Sequence, residues 1–175
     1  MRTIVWIGVT AWIFLAGSGC RSVSINPLPQ GHAKGLIPRP SKLEVGGQGV
    51  DQIGFRCDGT LQLSIPEAWR MGAMKQWLTD SGIHWSENNS SDANWIWVKS
   101  SRELGEEGYV LTVEGDRVLI EAGDEEAAFR AWTTLRQLLP PTCETGCPQG
   151  FALPEVRIED NAYLAHRGLL LDCCR

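Results

Sequence analysis

The stretch that most limits the possible folds is residues 153–175, where two kinds of strand follow each other. Val156 and Ile158 alternate with charged residues, which is typical of a strand with one buried face. Further on, Leu169–Leu171 is an uninterrupted apolar run that ends at Asp172, as expected for a strand buried on both faces. The two patterns belong to different kinds of sheet. The sequence therefore predicts two strands of different burial in this stretch.

Before this stretch, segments with strand and helix patterns follow one another in a simple order. Strand patterns cover residues 42–45, 53–55, 60–65 and 95–98, a hairpin covers 108–121, and helical patterns cover 67–81 and 124–139. This order predicts an α+β domain with an antiparallel or mixed sheet and two helices on one face. No internal repeat or low-complexity segment interrupts it.

The two helices carry local start and stop signals. Ser64 and Glu67 have the spacing of a capping box, so we expect the first helix to begin at Glu67, and Gly82 should end it. The second helix should start at Gly123-Asp124, with Asp124, Glu125 and Glu126 in its first turn, where acidic residues favour the helix dipole. Pro140 and the proline after it should stop this helix.

The N-terminal residues 1–19 have the features of an export signal. A short basic start is followed by an apolar segment, Ile4 to Leu15, that is too short to span a bilayer as a helix. Small residues then lead to Cys20, so the pattern resembles a bacterial lipoprotein signal with Cys20 as the lipidated residue and membrane anchor. Plain signal cleavage and a retained anchor are the alternatives. Residues 20–35 read as a linker.

Charge and cysteine spacing exclude some classes of function. The formal net charge is −5 and no basic patch is evident, so nucleic acid is not an expected partner. Cys143 and Cys147 flank a short loop, and in an exported protein they predict a disulfide. Cys173 and Cys174 read as small buried residues. The spacing predicts no metal site and no cofactor.

Trp95 and Trp97 are the one aromatic pair that invites a binding hypothesis. Aromatic pairs often line sugar sites, and these two tryptophans lie on the same face of a predicted strand. Packing in the core is the simpler interpretation and the one we expect.

The stretch described first resembles the start of the catalytic barrel in the family 20 glycoside hydrolases, the β-N-acetylhexosaminidases. The matching positions are Leu153, Pro154, Val156, Ile158, Asp160, Arg167, Gly168, Leu171, Asp172 and Arg175. Two weaker similarities are the entry Ile37-Pro38-Arg39-Pro40 and the helix segment Thr134–Leu138. The resemblance divides the chain into an N-terminal α+β domain, residues 36–153, and a linker with the first strand of a (β/α)8 barrel, residues 154–175.

The resemblance implies a function and one site residue. Enzymes of this family release terminal β-linked N-acetylglucosamine or N-acetylgalactosamine with retention, and the substrate's own acetamido group acts as the nucleophile. Arg167 matches the arginine that binds the 3- and 4-hydroxyls of the terminal sugar. The catalytic Asp-Glu pair belongs to a later part of the barrel, so this chain holds no catalytic residue. Glu159 and Asp160 are adjacent acids, for which a turn role is expected.

Two hypotheses follow for the chain. The first is that it is the N-terminal portion of an exported β-N-acetylhexosaminidase, inactive by itself because the rest of the barrel is missing. The alternative is a non-catalytic surface lipoprotein that acts as an accessory or docking module. An unpaired apolar strand at the end of the chain would favour aggregation in a stand-alone module, which favours the first hypothesis.

Overall fold

The structure is a computed structural model that describes residues 35–46, 53–57, 59–87, 95–115, 117–147 and 150–162. Within these ranges there are two α-helices, α1 (Gly72–Asp80) and α2 (Glu125–Leu138), and two short 3-10 turns, Arg102–Leu104 and Pro141–Glu144. The strands are β1 (Lys42–Val45), β2 (Ile53–Cys57), β3 (Leu61–Ser64), β4 (Trp85–Ser86), β5 (Trp95–Ser100), β6 (Tyr109–Glu114), β7 (Arg117–Ala122), β8 (Phe151–Pro154) and β9 (Val156–Asp160).

Seven of these strands form one mixed sheet in the order β1-β9-β6-β7-β5-β3-β4. The β1, β9, β6 and β7 strands pair antiparallel, whereas β7, β5, β3 and β4 pair parallel. The hairpin predicted over 108–121 is β6 and β7, joined by a turn at Gly115, whose φ of 62° is readily adopted only by glycine. The α+β class with a mixed sheet and two helices is confirmed, while the expected barrel start at Leu169–Leu171 lies outside the described residues.

The β1 and β2 strands follow each other in the chain but do not pair. The first pairs with β9 in the main sheet, and the second pairs with β8 in a separate two-stranded sheet. Strands that are close in sequence often form a hairpin, but here each finds its partner about 100 residues away. The N-terminal and C-terminal parts of the domain are therefore held together by backbone hydrogen bonds.

One face of the main sheet builds the core under α2. Leu111 lies between its register partners Ile120 and Ile158, and all three side chains are fully buried. On the side that faces the sheet, α2 contributes Trp132 and Leu135, which are also buried. The period of two in the strands and the stripe on the helix thus place their apolar residues on facing surfaces.

The two helices meet at a pair of tryptophans. The rings of Trp77 on α1 and Trp132 on α2 are 5.4 Å apart between centroids and meet edge to face, which aromatic rings prefer over direct stacking. Below this contact, α1 buries Met74 and Leu78. The indole nitrogen of Trp85 in β4 also donates to the Thr79 hydroxyl at 3.1 Å, so α1 is tied to the edge of the sheet.

The predicted start of the first helix at Glu67 is wrong, because α1 begins at Gly72. The Ser64 side chain does not cap it, and Met71 before the helix has a left-handed backbone with φ of 45°. The side chain of Glu125, at the start of α2, accepts hydrogen bonds from the backbone N–H groups of Arg70 and Met71 at 2.9 and 3.0 Å. A partner distant in sequence therefore fixes the two residues just before the helix.

The β9 strand lies inside the small domain's own sheet. It pairs with β1 on one side and with β6 on the other, and Val156 and Ile158 are buried. The strand predicted from the alternation of Val156 and Ile158 with charged residues is confirmed, and it runs to Asp160. The last described range ends at Ala162, directly after this strand.

The tryptophans of β5 were expected in the core, and the structure places them elsewhere. Ile96 and Val98 are the β5 residues that enter the core, whereas Trp95 and Trp97 are half-buried on the opposite face. Their rings contact each other edge to face at 5.9 Å, and the Lys99 ammonium lies 5.0 Å from the centre of the Trp97 ring. The core prediction for this pair is therefore wrong.

Replacing Asp124 by alanine should destabilise the domain by about 1 kcal/mol. The Asp124 carboxylate accepts a hydrogen bond of 2.7 Å from the N–H of Ala127 and so caps the N-terminus of α2. Serine at the same position keeps a capping oxygen, so Asp124→Ser is the matched control. Urea denaturation of the three proteins measures the effect, and equal losses for the two variants would contradict the capping role.

Candidate functional site

The structure describes only part of the predicted site set. Arg167, the expected sugar-binding residue, and Cys20, the expected lipidation site, both lie outside the described residues. Cys143 and Cys147 are described, and their sulfur atoms form a disulfide with a Cα–Cα distance of 4.5 Å.

The disulfide lies in the turn that follows α2. Cys143 is buried in the 3-10 turn, and the backbone N–H of Cys147 donates to the carbonyl of Ser81 at 2.8 Å. Nearby, Glu144 accepts hydrogen bonds from Arg136 and from the Trp77 indole. The loop between the two cysteines is therefore fixed to the C-terminal ends of both helices.

A groove lies at the end of the main sheet, next to the end of β9. Its volume is about 600 Å³, and its walls come from the entry segment, β6, α2 and the end of β9. The lining side chains that matter for its chemistry are Arg39, Ser41, Glu107, Tyr109, Arg130 and Asp160.

The phenol of Tyr109 closes one side of the groove. Its hydroxyl oxygen is 2.7 Å from the Thr134 hydroxyl on α2, and only 4% of the residue is exposed. Burial raises the pKa of Tyr109 to about 12, because the phenolate would lose its hydration. Tyr109 is therefore neutral throughout the physiological range and acts as a hydrogen-bonding wall.

The acids of the groove are each held by a partner. The guanidinium of Arg130 donates to the Glu107 carboxylate at 2.9 Å. Asp160 accepts hydrogen bonds from the backbone N–H and the hydroxyl of Ser41, at 3.1 and 2.8 Å. The first contact connects the turn before β6 to α2, and the second connects the segment before β1 to the end of β9. Both acids of the groove therefore hold parts of the domain together.

The adjacent acids Glu159 and Asp160 point to opposite faces of the sheet. Asp160 faces the groove, whereas Glu159 lies on the other face with Arg157 and Lys42. The hydrogen bond from Arg157, and then that from Lys42, holds the pKa of the Glu159 carboxyl below its usual range. Because strand neighbours diverge, the two carboxylates do not form an acid and base pair.

The described residues contain neither a metal-binding cluster nor a membrane-spanning helix. No group of three or more histidine, cysteine, aspartate or glutamate side chains is arranged there to hold a metal ion. No helix in the same ranges has the length and apolar character needed to cross a bilayer.

Sequence reasoning missed the groove. Its walls come from residues 37–41, 107–109, 130–137 and 160–162, which have no common spacing or motif. The contact between Arg130 and Glu107 depends on how α2 crosses β6, and no local pattern encodes that crossing.

The described strands and helices match the domain of one known protein family. The family described as glycosyl hydrolase family 20, domain 2, matches residues 33–161, which include every described strand and helix. The chain therefore belongs to this family, and the resemblance to the N-terminal α+β domain of the family 20 glycoside hydrolases is confirmed.

Two relatives of the chain are β-hexosaminidases. One from Porphyromonas gingivalis is 35% identical over 95 residues, which are 53% of this chain and 12% of that protein. Another from Vibrio furnissii is 26% identical over 144 residues, which are 80% of this chain and 21% of that protein. The chain thus spans about a fifth or less of the length of these relatives.

Solved structures of enzymes from this family also contain a domain with this fold. The exo-β-N-acetylglucosaminidase from Vibrio harveyi in complex with N-acetylglucosamine superimposes with a TM-score of 0.61 at 26% identity, covering 86% of this chain and 22% of that one. The β-N-acetylhexosaminidase from Streptomyces coelicolor gives a TM-score of 0.62 at 25% identity, covering 80% and 28%. The described domain therefore corresponds to a minor part of each enzyme.

Proposed function

We propose that this chain supplies the accessory α+β domain and the entry to the catalytic barrel of an exported β-N-acetylhexosaminidase. The observation that carries the proposal is the family match over residues 33–161, with β-hexosaminidases as relatives. The substrate class would be glycans that end in β-linked N-acetylglucosamine or N-acetylgalactosamine.

In this proposal the domain has a supporting role and the chemistry belongs to the barrel. The acids of the described groove are engaged in structural contacts, with Glu107 bound to Arg130 and Asp160 to Ser41. The acetamido oxygen of the substrate would attack the anomeric carbon, while a Glu and an Asp of the barrel assist. This chain alone would therefore not hydrolyse the substrate.

Arg167 is the residue of this chain that we propose to contact the sugar. A planar guanidinium presents paired donors to two neighbouring hydroxyls and stays charged at all relevant pH values. It follows the end of β9 by seven residues, on the segment that continues from the groove. Its partners would be the 3- and 4-hydroxyls of the terminal sugar.

The proposed location is outside the cytoplasm, with a lipid on Cys20 as the membrane anchor. The support is the export pattern of residues 1–19 followed by a linker. Mass spectrometry of the mature N-terminus tests this, since an uncleaved chain or an unmodified Cys20 would contradict the lipid anchor.

Activity assays test the proposed function directly. The purified 175-residue chain should release no product from a chromogenic N-acetyl-β-glucosaminide above the buffer rate. A chimaera in which residues 33–161 replace the matching domain of the Vibrio furnissii β-hexosaminidase should hydrolyse the same substrate, because the domain would support the barrel of its relative.

A control variant shows whether the activity of the chimaera depends on the folded domain. The same chimaera with Trp132→Ala tests whether activity depends on the folded core of the domain. Hydrolysis by the 175-residue chain alone would show that the chemistry does not need the barrel and would overturn the proposal. A folded but inactive chimaera would contradict the supporting role.

A further inference from the structure

Two exposed apolar side chains lie beside α2. Ile37 is 78% exposed and Phe129 is 41% exposed, and within the described ranges no other large apolar residue is exposed. A single exposed apolar residue is common on a protein surface and needs no partner. Two that share one surface, next to a groove, indicate a place where another protein surface binds.

The two side chains share one surface because α2 connects them. Phe129, Thr133 and Gln137 follow each other at intervals of four residues, so they lie on one side of the helix over about 12 Å. At the end of this row, the Gln137 side chain accepts from the N–H of Ile37 and donates to the carbonyl of Ile37, both at 2.9 Å. We call the row of Phe129, Thr133, Gln137 and Ile37 the outer stripe.

The backbone of Ile37 is held in place although its side chain is exposed. Its N–H and its carbonyl are both bonded to Gln137, and Pro38 restricts the next position in the chain. A contact made from a fixed backbone avoids the entropy cost of ordering a loop on binding. Ile37 is therefore preorganised to contact a partner.

The groove of about 600 Å³ is continuous with the outer stripe. Ile37, Thr133 and Gln137 belong to its lining, and so do the residues from the end of β9 to Ala162. In the two β-hexosaminidase relatives, the matched region is only 12% and 21% of the protein, so most of each enzyme lies outside this domain. The part of the enzyme that follows the domain in sequence therefore begins at the groove.

We propose that the outer stripe and the groove form the surface by which this domain packs against the catalytic barrel of the same enzyme. The inference rests on the proposed function, which supplies the barrel as the partner. Contact with the barrel would remove the exposed side chains of Ile37 and Phe129 from water, which is favourable in proportion to the apolar area covered.

The polar groups of the groove do not oppose this contact. The carboxylates of Glu107 and Asp160 are already bound, by Arg130 and by Ser41, and Tyr109 is neutral at physiological pH. Covering a paired carboxylate costs less than covering a free one, which would lose its hydration without compensation. The groove can therefore be covered by protein without burying an unpaired acid.

Limited proteolysis of the chimaera of residues 33–161 with the rest of the Vibrio furnissii β-hexosaminidase tests this surface. Cleavage between the domain and the barrel reports how often the two separate. Thr133→Arg places a long charged side chain on the outer stripe, and Ile37→Asp replaces its most exposed apolar side chain. We expect each variant to be cleaved there about tenfold faster than the unchanged chimaera, because apolar contact with the barrel is lost.

The 175-residue chain shows whether these substitutions act through the barrel. Both side chains are exposed in the described domain, so each variant of this chain should unfold at the same urea concentration as the unchanged chain. Lys99→Asp in the chimaera is the matched control, because Lys99 is exposed on the face of the sheet opposite to the core. Ile37→Val is the conservative control, since it keeps an apolar side chain on the outer stripe. Both controls should be cleaved at the rate of the unchanged chimaera.

Two results would overturn the proposal. One is equal cleavage of the unchanged chimaera and the Ile37→Asp and Thr133→Arg variants. The other is a 175-residue chain that forms a dimer which Thr133→Arg dissociates, because the partner would then be a second copy of this chain. The cleavage measurement needs no catalytic activity, so an inactive chimaera that gives the expected cleavage pattern would contradict the proposed function and not this surface.

Discussion

Replacing Trp132 by alanine should lower the free energy of unfolding by about 3–5 kcal/mol, the largest effect that we expect from a single substitution in this domain. The side chain is 2% exposed and lies between the sheet and α1. Its removal would leave a cavity and would also break the ring contact with Trp77. Since small domains are stable by only about 5–15 kcal/mol, the variant should be close to unfolding at physiological temperature.

The matched control lies on the same helix. Phe129 is one turn away from Trp132, but its side chain is 41% exposed. Phe129→Ala should therefore lower the free energy of unfolding much less than Trp132→Ala. Urea denaturation followed by circular dichroism gives both free energies. If the two substitutions cost the same, the described packing of α2 on the sheet would be wrong.

Elements with local signals could be predicted from the sequence. The second helix was recognised from Asp124, its apolar stripe and the prolines after it, and the structure has α2 at Glu125–Leu138. The hairpin was recognised from its alternation around Gly115 and is present as β6 and β7. In these cases the residues that specify the element lie within it.

Elements that depend on distant partners could not be predicted in the same way. The true start of α1 depends on Glu125, which accepts from the N–H groups of Arg70 and Met71. The position of β9 between β1 and β6 depends on pairing across more than 40 residues. Alternation shows that a segment is a strand, but it does not identify the strand's neighbours.

The candidate site was the least predictable part for the same reason. The disulfide partners Cys143 and Cys147 could be proposed because they are four residues apart. That Cys57 lines one cavity with Cys147 depends on the pairing of β2 with β8, which the sequence alone does not give. Likewise, the half-buried position of Trp95 and Trp97 depends on which face of the sheet the helices cover.

The second large effect is expected at alkaline pH. The pKa of Tyr109 is raised from 10.0 to about 12 by burial, so the folded domain favours the neutral phenol. Below the unfolded-state pKa the phenol is neutral in both states, and its contribution to stability is fully present. As the pH rises from 10.0 towards about 12, the unfolded chain ionises first and the contribution is lost.

Tyr109→Phe isolates this contribution, because other alkaline titrations are common to both proteins. At neutral pH the wild type should be more stable by about 1 kcal/mol, since it keeps the hydrogen bond between Tyr109 and Thr134. As the pH approaches the folded-state pKa of Tyr109, ionisation of the unfolded tyrosine should lower the free energy of unfolding of the wild type by on the order of 2 kcal/mol. The Phe variant should show no such loss. The two stability curves, measured by urea denaturation across the alkaline range, should therefore cross. Parallel curves would mean that the Tyr109 phenol is as well hydrated in the folded domain as in the unfolded chain, and the groove wall would not be closed as described.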